Sequence, residues 1–177
     1  MTKTDDKSYK MDTVEELLAH SMTMETEAAE RYREIAEAME VHNNPEVAQL
    51  FHQLAGYADK HASEMEERAK DLTLPHIAPW DFIWEDGDSP EAADGFQTHY
   101  KMTPYHVLQL ALNVEQGAYD FYQKISNDST QPDVKKMAAE FAEEESEHVA
   151  LLQGWVGRYP KPDAHWDEDL DPPMMHE

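Results

Sequence analysis

The chain contains one stretch twice: residues 25–32 read ETEAAERY, and residues 115–122 read EQGAYDFY. Each copy has a Glu, an Ala three residues after it and a Tyr seven residues after it. This spacing places the three side chains along one face of a helix. A second pair of segments repeats at an offset of 87 residues, in which Pro45, Leu54, Ala55 and His61 correspond to Pro132, Phe141, Ala142 and His148. The sequence therefore predicts two similar helical hairpins.

Four segments have helical periodicity. The predicted helices cover residues 13–41, 45–72, 103–126 and 132–157. Thr13 and Glu16 predict a capping box at the first of them, and a Pro starts each of the others. Short turns join the helices of each hairpin, whereas about 30 residues without helical periodicity separate the hairpins. Since helices of about 25 residues are near 40 Å long, a connection that returns along them must be long. We therefore predict an all-α four-helix bundle with a long crossover, at about 73–102, between helices two and three.

The rest of the chain is expected to lie outside this bundle. At 177 residues the chain suits one domain, which we place at residues 13–157, after a flexible N-terminus at residues 1–12. Residues 158–177 form an acidic, Pro-rich C-terminal tail, for which disorder and docking through Trp166 are both open. The aromatic residues of the crossover are expected to pack against helix sides or a partner subunit; they are Trp80, Phe82 and Trp84.

Composition narrows the function classes. The net charge is −24, from 38 acidic and 14 basic residues, so the chain would repel nucleic acid. The absence of Cys excludes disulfides and thiolate metal sites. No apolar run approaches the roughly 20 residues of a membrane-spanning helix, and residues 1–7 lack an apolar signal-peptide core. We expect a cytoplasmic protein without membrane partners, whose charge favours solubility or raises the local concentration of cations.

Heptad spacing places five polar side chains in the seams between helices, namely those of Glu25, His61, Glu115, Glu145 and His148. An unpaired carboxylate in a core costs several kcal/mol, and three would repel one another. Pairing with Arg or Lys would remove this cost, but neither residue type lies beside them on the seams. Partial exposure, through an error in the assumed register, would also remove it. A divalent metal ion is the third solution, and it is the one we predict.

Carboxylate and imidazole ligands suit iron, manganese or zinc. Glu145 and His148 are one helical turn apart, so both can reach one metal centre. Tyr32 and Tyr122 are interpreted either as core aromatics or as catalytic residues, acting as a hydrogen-bond donor to a ligand carboxylate or as a redox-active phenol. Five other histidines show no matching pattern and are interpreted as surface or crossover residues; they are His20, His42, His52, His76 and His106.

At these positions the chain resembles the ferritin-like superfamily, most closely its rubrerythrin-like di-iron proteins, over about residues 12–157. The motifs that carry the resemblance are Glu25-x-x-Ala28-x-x-x-Tyr32, Leu54-Ala55-x-x-Ala58-x-x-His61, Glu115-x-x-Ala118-x-x-x-Tyr122 and Phe141-Ala142-x-x-Glu145-x-x-His148. The resemblance implies a di-iron centre in which Glu145 bridges two metal ions. It makes Glu25 and Glu115 terminal ligands, and it assigns one imidazole to each ion.

The chain departs from the family in three respects. The second bridging Glu of the family corresponds to Ala58, and the extra carboxylate of the third helix would fall near Ala118. A rubredoxin module needs cysteines, and the sequence has none. The expected iron content is therefore one or two ions per chain, with weaker binding in the half of the site that contains Glu25 and His61.

The resemblance implies an oxidoreductase that reacts ferrous iron with dioxygen or peroxide, as a peroxidase or ferroxidase. It also implies a homodimer and, without a rubredoxin module, a separate electron donor. Two alternatives stay open: a non-catalytic mononuclear metal-binding or iron-storage protein, and a metal-free helical interaction module.

Overall fold

The computed structural model describes residues 11–78, 81–82 and 103–163, and these residues form an all-α bundle, as predicted. Its four helices are α1 (Val14–Val41), α2 (Pro45–Ala69), α3 (Pro104–Asp128) and α4 (Pro132–Val156). None of the helices in the described ranges is long and apolar enough to cross a membrane.

Local sequence signals set most of the helix ends. The Thr13 hydroxyl accepts a hydrogen bond from the backbone N–H of Glu16 at 3.1 Å, and the Glu16 carboxylate accepts one from the N–H of Asp12 at 3.3 Å. Asn43, with φ of 58°, ends α1 in the left-handed region that Asn tolerates. Each of the other three helices has Pro in its first turn, where the missing N–H costs nothing.

The predicted end of the second helix was wrong. Helix α2 ends at Ala69 rather than near Leu72, and Leu72 is 38% exposed. Apolar spacing alone extended the prediction by a turn, because Leu72 continues the heptad of Met65 after the helix itself has stopped.

The helices pack as two antiparallel hairpins, α1 with α2 and α3 with α4. Contacts between the hairpins fix their relative direction: Arg68 near the end of α2 binds Glu140 in the first half of α4, at 3.0 Å. Tyr159, just after α4, donates a hydrogen bond to Glu46 at the start of α2, at 3.3 Å. Helix α4 is therefore antiparallel to both α2 and α3, so α2 and α3 run in the same direction. Such an arrangement requires the long crossover that the sequence predicted.

One crossover aromatic is placed by the structure. The ring of Phe82 meets the ring of His20 on α1 edge to face, with centroids 5.0 Å apart. This contact confirms the prediction that Phe82 packs against a helix side. Trp80 and Trp84 lie outside the described residues, as do the first ten residues and the tail from residue 164 onward.

The chain also has ordered contacts just outside the helices. Met11 is fully buried, and its carbonyl accepts a hydrogen bond from the Ser129 hydroxyl at 3.2 Å. Beyond α4, Tyr159 packs against the apolar core. These contacts hold the residues just before α1 and just after α4 against the bundle.

The apolar core consists of two clusters with a polar layer between them. The upper cluster includes Ala28 and Tyr32 of α1, and the lower cluster includes Leu18 and Met24 of the same helix. Glu25 lies at the point where α1 passes from one cluster to the other. The other three helices pass from one cluster to the other at His61, Glu115 and Glu145, respectively.

Candidate metal centre

The five predicted ligands meet in this layer. The bundle brings together Glu25 of α1, His61 of α2, Glu115 of α3, and Glu145 with His148 of α4. Glu25, His61 and Glu145 have ligand atoms within 4.8 Å of one another, and so do Glu115, Glu145 and His148. Glu145 belongs to both groups. The structure therefore has two overlapping sets of three donors, with one carboxylate shared.

The carboxylates are the most deeply buried members of the cluster. Each of the three Glu residues is 2% exposed, whereas the imidazole side chains of His61 and His148 are 11% and 12% exposed. Carboxylates at such depth need hydrogen bonds and compensating charge, because water cannot reach them.

Hydrogen bonds from the imidazoles connect the helices. His61 Nδ1 lies 3.2 Å from Glu25 Oε1, joining α2 to α1. His148 Nδ1 lies 3.1 Å from Glu115 Oε2 and 3.2 Å from Glu145 Oε2, joining α4 to α3. In the protonated imidazole, Nδ1–H donates in each of these contacts.

Burial and pairing shift the acid–base equilibria of the carboxyl groups in different directions. Burial raises the pKa of Glu25, and it raises the pKa of Glu145 well above the ordinary value, against the effect of their imidazole partners. Burial also acts to raise the pKa of Glu115, but the hydrogen bond and charge of His148 outweigh it, and this pKa is lowered.

The imidazoles are shifted toward the charged form. Burial acts to lower the pKa of His148, but its bonds to Glu115 and Glu145 raise that pKa to about 11. The pKa of His61 is also raised, since Glu25 outweighs the burial of the ring. In the absence of a metal ion, the raised pKa values of His61 and His148 favour imidazolium groups that offset the carboxylate charge, and the raised pKa of Glu145 favours its protonated form.

Arg and Lys side chains are not among the groups that act most strongly on these carboxylates. The groups that act most strongly on the three carboxylates are His61, His148 and the carboxylates themselves. Arg33 pairs with Asp59 and Arg68 with Glu140, all at well exposed positions. The negative charge of the buried carboxylates is therefore compensated either by bound protons or by a cation from outside the chain.

The two predicted tyrosines are both buried, in different surroundings. Tyr32, 1% exposed, donates its hydroxyl hydrogen bond to Glu115, from α1 across to α3. The ring of Tyr122 lies in the lower cluster, where it meets Phe121 and Phe141 with centroids 5.5 and 5.3 Å apart. Tyr32 is therefore placed as a hydrogen-bond partner of a candidate ligand, as one of its two interpretations required.

Ala58 is buried, at 3% exposure, one turn before His61 on α2. Its methyl group packs into the upper apolar cluster and offers no ligand atom. The adjacent carboxylate, Asp59, is exposed and pairs with Arg33, so it does not replace the missing ligand. Helix α2 therefore contributes a single donor, His61.

Two observations were not anticipated from the sequence. His20 was wrongly interpreted as a surface or crossover residue: it is 1% exposed, its Nδ1–H donates to the Glu16 carbonyl at 2.9 Å, and burial lowers its pKa. The second is Tyr57 on α2, whose ring stacks on His148. Its spacing of four residues from His61 was a signal that could have revealed it, because residues four apart share a helical face.

Comparison with known proteins gives matches to both halves of the chain. The family model Rubrerythrin matches residues 16–81, and the family model Ferritin-like domain matches residues 104–174. Among solved structures, the chain is similar to an uncharacterized conserved protein from Magnetospirillum magnetotacticum MS-1, with 40% sequence identity and a TM-score of 0.71. That match covers 85% of this chain and 98% of the other. No curated protein matches the chain.

The raised pKa of His148 predicts how the metal-free protein responds to alkali. Its folded pKa of about 11 lies above the ordinary value of 6.5, so the stability it contributes is complete below pH 6.5 and is lost as pH rises toward 11. In the presence of a chelator, we expect the free energy of unfolding to fall between pH 7 and 10, with this group contributing up to about 1.4 kcal/mol per pH unit. Denaturant unfolding at several pH values measures the slope.

The matched variants are His148→Gln and His52→Gln, since His52 is an exposed histidine paired with Glu40. The slope should become shallower in His148→Gln only. Equal slopes in the two variants would show that His148 does not bind its proton more tightly in the folded protein.

Proposed function

Because the chain belongs to the ferritin-like superfamily, in its rubrerythrin-like branch, we propose that it binds iron in the polar layer and reacts ferrous iron with dioxygen or peroxide. The proposed ligands are Glu25, His61, Glu115, Glu145 and His148. The observation that carries the proposal is the convergence of three carboxylates, each 2% exposed, with two imidazoles, all within ligand distance in two overlapping groups.

The donors suit this assignment. Oxygen and imidazole nitrogen bind iron, manganese and zinc, and the absence of Cys from the sequence leaves no thiolate donor. Iron is the metal we propose because the family uses it, with manganese and zinc as competitors. When bound, iron supplies reversible one-electron chemistry, while the protein fixes its ligands and keeps the site largely dry.

Glu145 has the central role in this arrangement. Because it is common to both donor groups, it could supply a ligand to each of two ions. Without this shared use, the second group would keep only Glu25 and His61 as ligands from the described part of the chain. We therefore propose that occupancy by two ions depends on Glu145, and that the half with Glu115 and His148 fills first.

The tyrosines have proposed roles near these ligands. Tyr32 orients Glu115 through its hydroxyl hydrogen bond and limits how that carboxylate can shift when the charge of the centre changes. Tyr122, buried in the lower cluster, is proposed as a redox-active phenol. Electrons would come from a separate protein donor or from ferrous iron itself, and we propose that the protein acts as a homodimer in the cytoplasm.

A second candidate function follows from Ala58. With no bridging carboxylate from α2, the site could hold a single ion at Glu115, Glu145 and His148 and serve storage or stability rather than catalysis. This candidate shares the metal site with the first and differs from it in stoichiometry and reactivity.

Substitution of the shared carboxylate tests metal binding. Protein purified without chelator should contain iron, and Glu145→Gln should weaken ferrous iron binding by about 100-fold or more, since changes to groups that only hydrogen-bond to a ligand already cost about 10–100-fold. Glu147→Gln is the matched control, because Glu147 lies two residues further along α4 and is exposed. Elemental analysis measures the iron content, and anaerobic titration measures the affinity for ferrous iron. Equal affinities of the two variants for ferrous iron, or a wild-type protein that does not bind added iron, would contradict the proposal.

Restoring the missing carboxylate separates the two candidate functions. Ala58→Glu should raise the iron content toward two ions per chain and increase the rate of ferrous iron oxidation by peroxide, while it destabilises the metal-free protein by burying a fourth carboxyl. Ala55→Glu, at an equally buried position one turn away, should cause the loss of stability without either gain. If Ala58→Glu changes neither stoichiometry nor rate, the absence of this carboxylate does not limit the site.

A further inference from the structure

The ring of His148 stacks on two rings of α2. The first is Tyr57, with centroids 5.7 Å apart and ring planes 13° from parallel. The second is His61, at 5.2 Å and 14°. Both distances fall in the range of favourable offset stacking, about 4.5–7 Å. Tyr57 and His61 are one helical turn apart on α2, so this helix contacts the imidazole of α4 through two of its own side chains.

The stack occupies the more exposed side of the polar layer. The imidazoles have side-chain exposures of 11% and 12%, against 3% for their carboxylate partners. Tyr57 is half-buried, and its hydroxyl oxygen accepts a hydrogen bond from the exposed amide of Gln53 at 2.5 Å. The Tyr57 ring therefore extends from the face of His148 to the surface of α2.

The stack also matters because of the residue next to it. Ala58 leaves α2 with one donor to the centre, which is His61. The contact of Tyr57 with His148 also connects α2 to the centre, through a proposed ligand on the other hairpin. Rotation of the His148 ring would carry Nδ1 away from both Glu115 and Glu145, which lie 3.1 and 3.2 Å from it.

We infer that Tyr57 is a positioning residue of the metal centre: its ring fixes the plane of His148, keeps Nδ1 directed at Glu115 and Glu145, and slows the release of bound metal. The inference rests on the proposed metal binding. It requires the aromatic face of Tyr57, and the hydroxyl group contributes little to it. The effect on metal affinity should match that of other groups that orient ligands, about 10-fold or more.

Cobalt(II) is a suitable probe, because its visible absorption reports the geometry of the ligands and its binding needs no redox reaction. Three variants would be compared with wild type: Tyr57→Phe, which keeps the ring, and Tyr57→Leu and Tyr57→Met, which remove it. Tyr119→Leu is the matched control, since Tyr119 is a half-buried tyrosine on α3 that packs against the lower cluster. The measurements are the Kd, the rate of chelator-driven release, the absorption spectrum and the unfolding temperature of the metal-free protein.

We expect Tyr57→Leu and Tyr57→Met to release cobalt about 10-fold faster or more, with an altered spectrum, and Tyr57→Phe to remain within about threefold of wild type. Tyr119→Leu should change stability without changing release or spectrum. A loss of stability in the Tyr57 variants with unchanged release and spectrum would assign Tyr57 to packing alone and overturn the inference. Failure of wild type to bind cobalt, iron or zinc would instead overturn the proposed function, and the inference with it.

Discussion

Three carboxylates buried between helices impose the constraint on which the rest of this structure depends. Glu25, Glu115 and Glu145 come from three helices and are each 2% exposed. They are compatible with a folded bundle only if protons or cations accompany them. Each helix places its carboxylate or imidazole side chains in the same layer. The apolar residues of all four helices divide into two clusters, one on each side of this layer. The bundle is thus organised around its polar layer as much as around its apolar core.

The site is asymmetric, although the sequence repeats. The second hairpin supplies two carboxylates and an imidazole, and the first supplies one of each. Ala58 accounts for the difference, because its methyl group joins the upper apolar cluster where a further ligand would otherwise lie. The Tyr57 ring, one residue earlier on α2, contacts His148 instead. Helix α2 thus interacts with the centre through aromatic rings, whereas α1 and α3 do so through carboxylates and α4 through both a carboxylate and an imidazole.

Sequence reasoning predicted the bundle and all five members of the polar layer, because helical periodicity and the duplication each constrain which residues face inward. Caps and prolines fixed most helix ends, but the end of α2 was missed, since apolar spacing at Leu72 continues beyond the last hydrogen-bonded turn. His20 contacts Phe82, which lies 62 positions further along the chain. The stack on His148 likewise depends on how two hairpins face each other. Periodicity within α2 places Tyr57 on the same face as His61, but it does not show which ring of the other hairpin Tyr57 contacts, and periodicity within α1 contains no information about Phe82.

The most direct test of the central claim is to count the protons released when a metal ion enters the site. At pH 7 the imidazole of His148 holds its proton, with a pKa of about 11, and burial raises the pKa of Glu145 well above its ordinary value. Calorimetric titration of chelator-treated protein with zinc or, under anaerobic conditions, ferrous iron, in buffers of different ionisation enthalpy, gives the number. We expect release of about one proton or more per ion, since the cation replaces the protons that compensated the carboxylates. Metal binding with no proton release would contradict it.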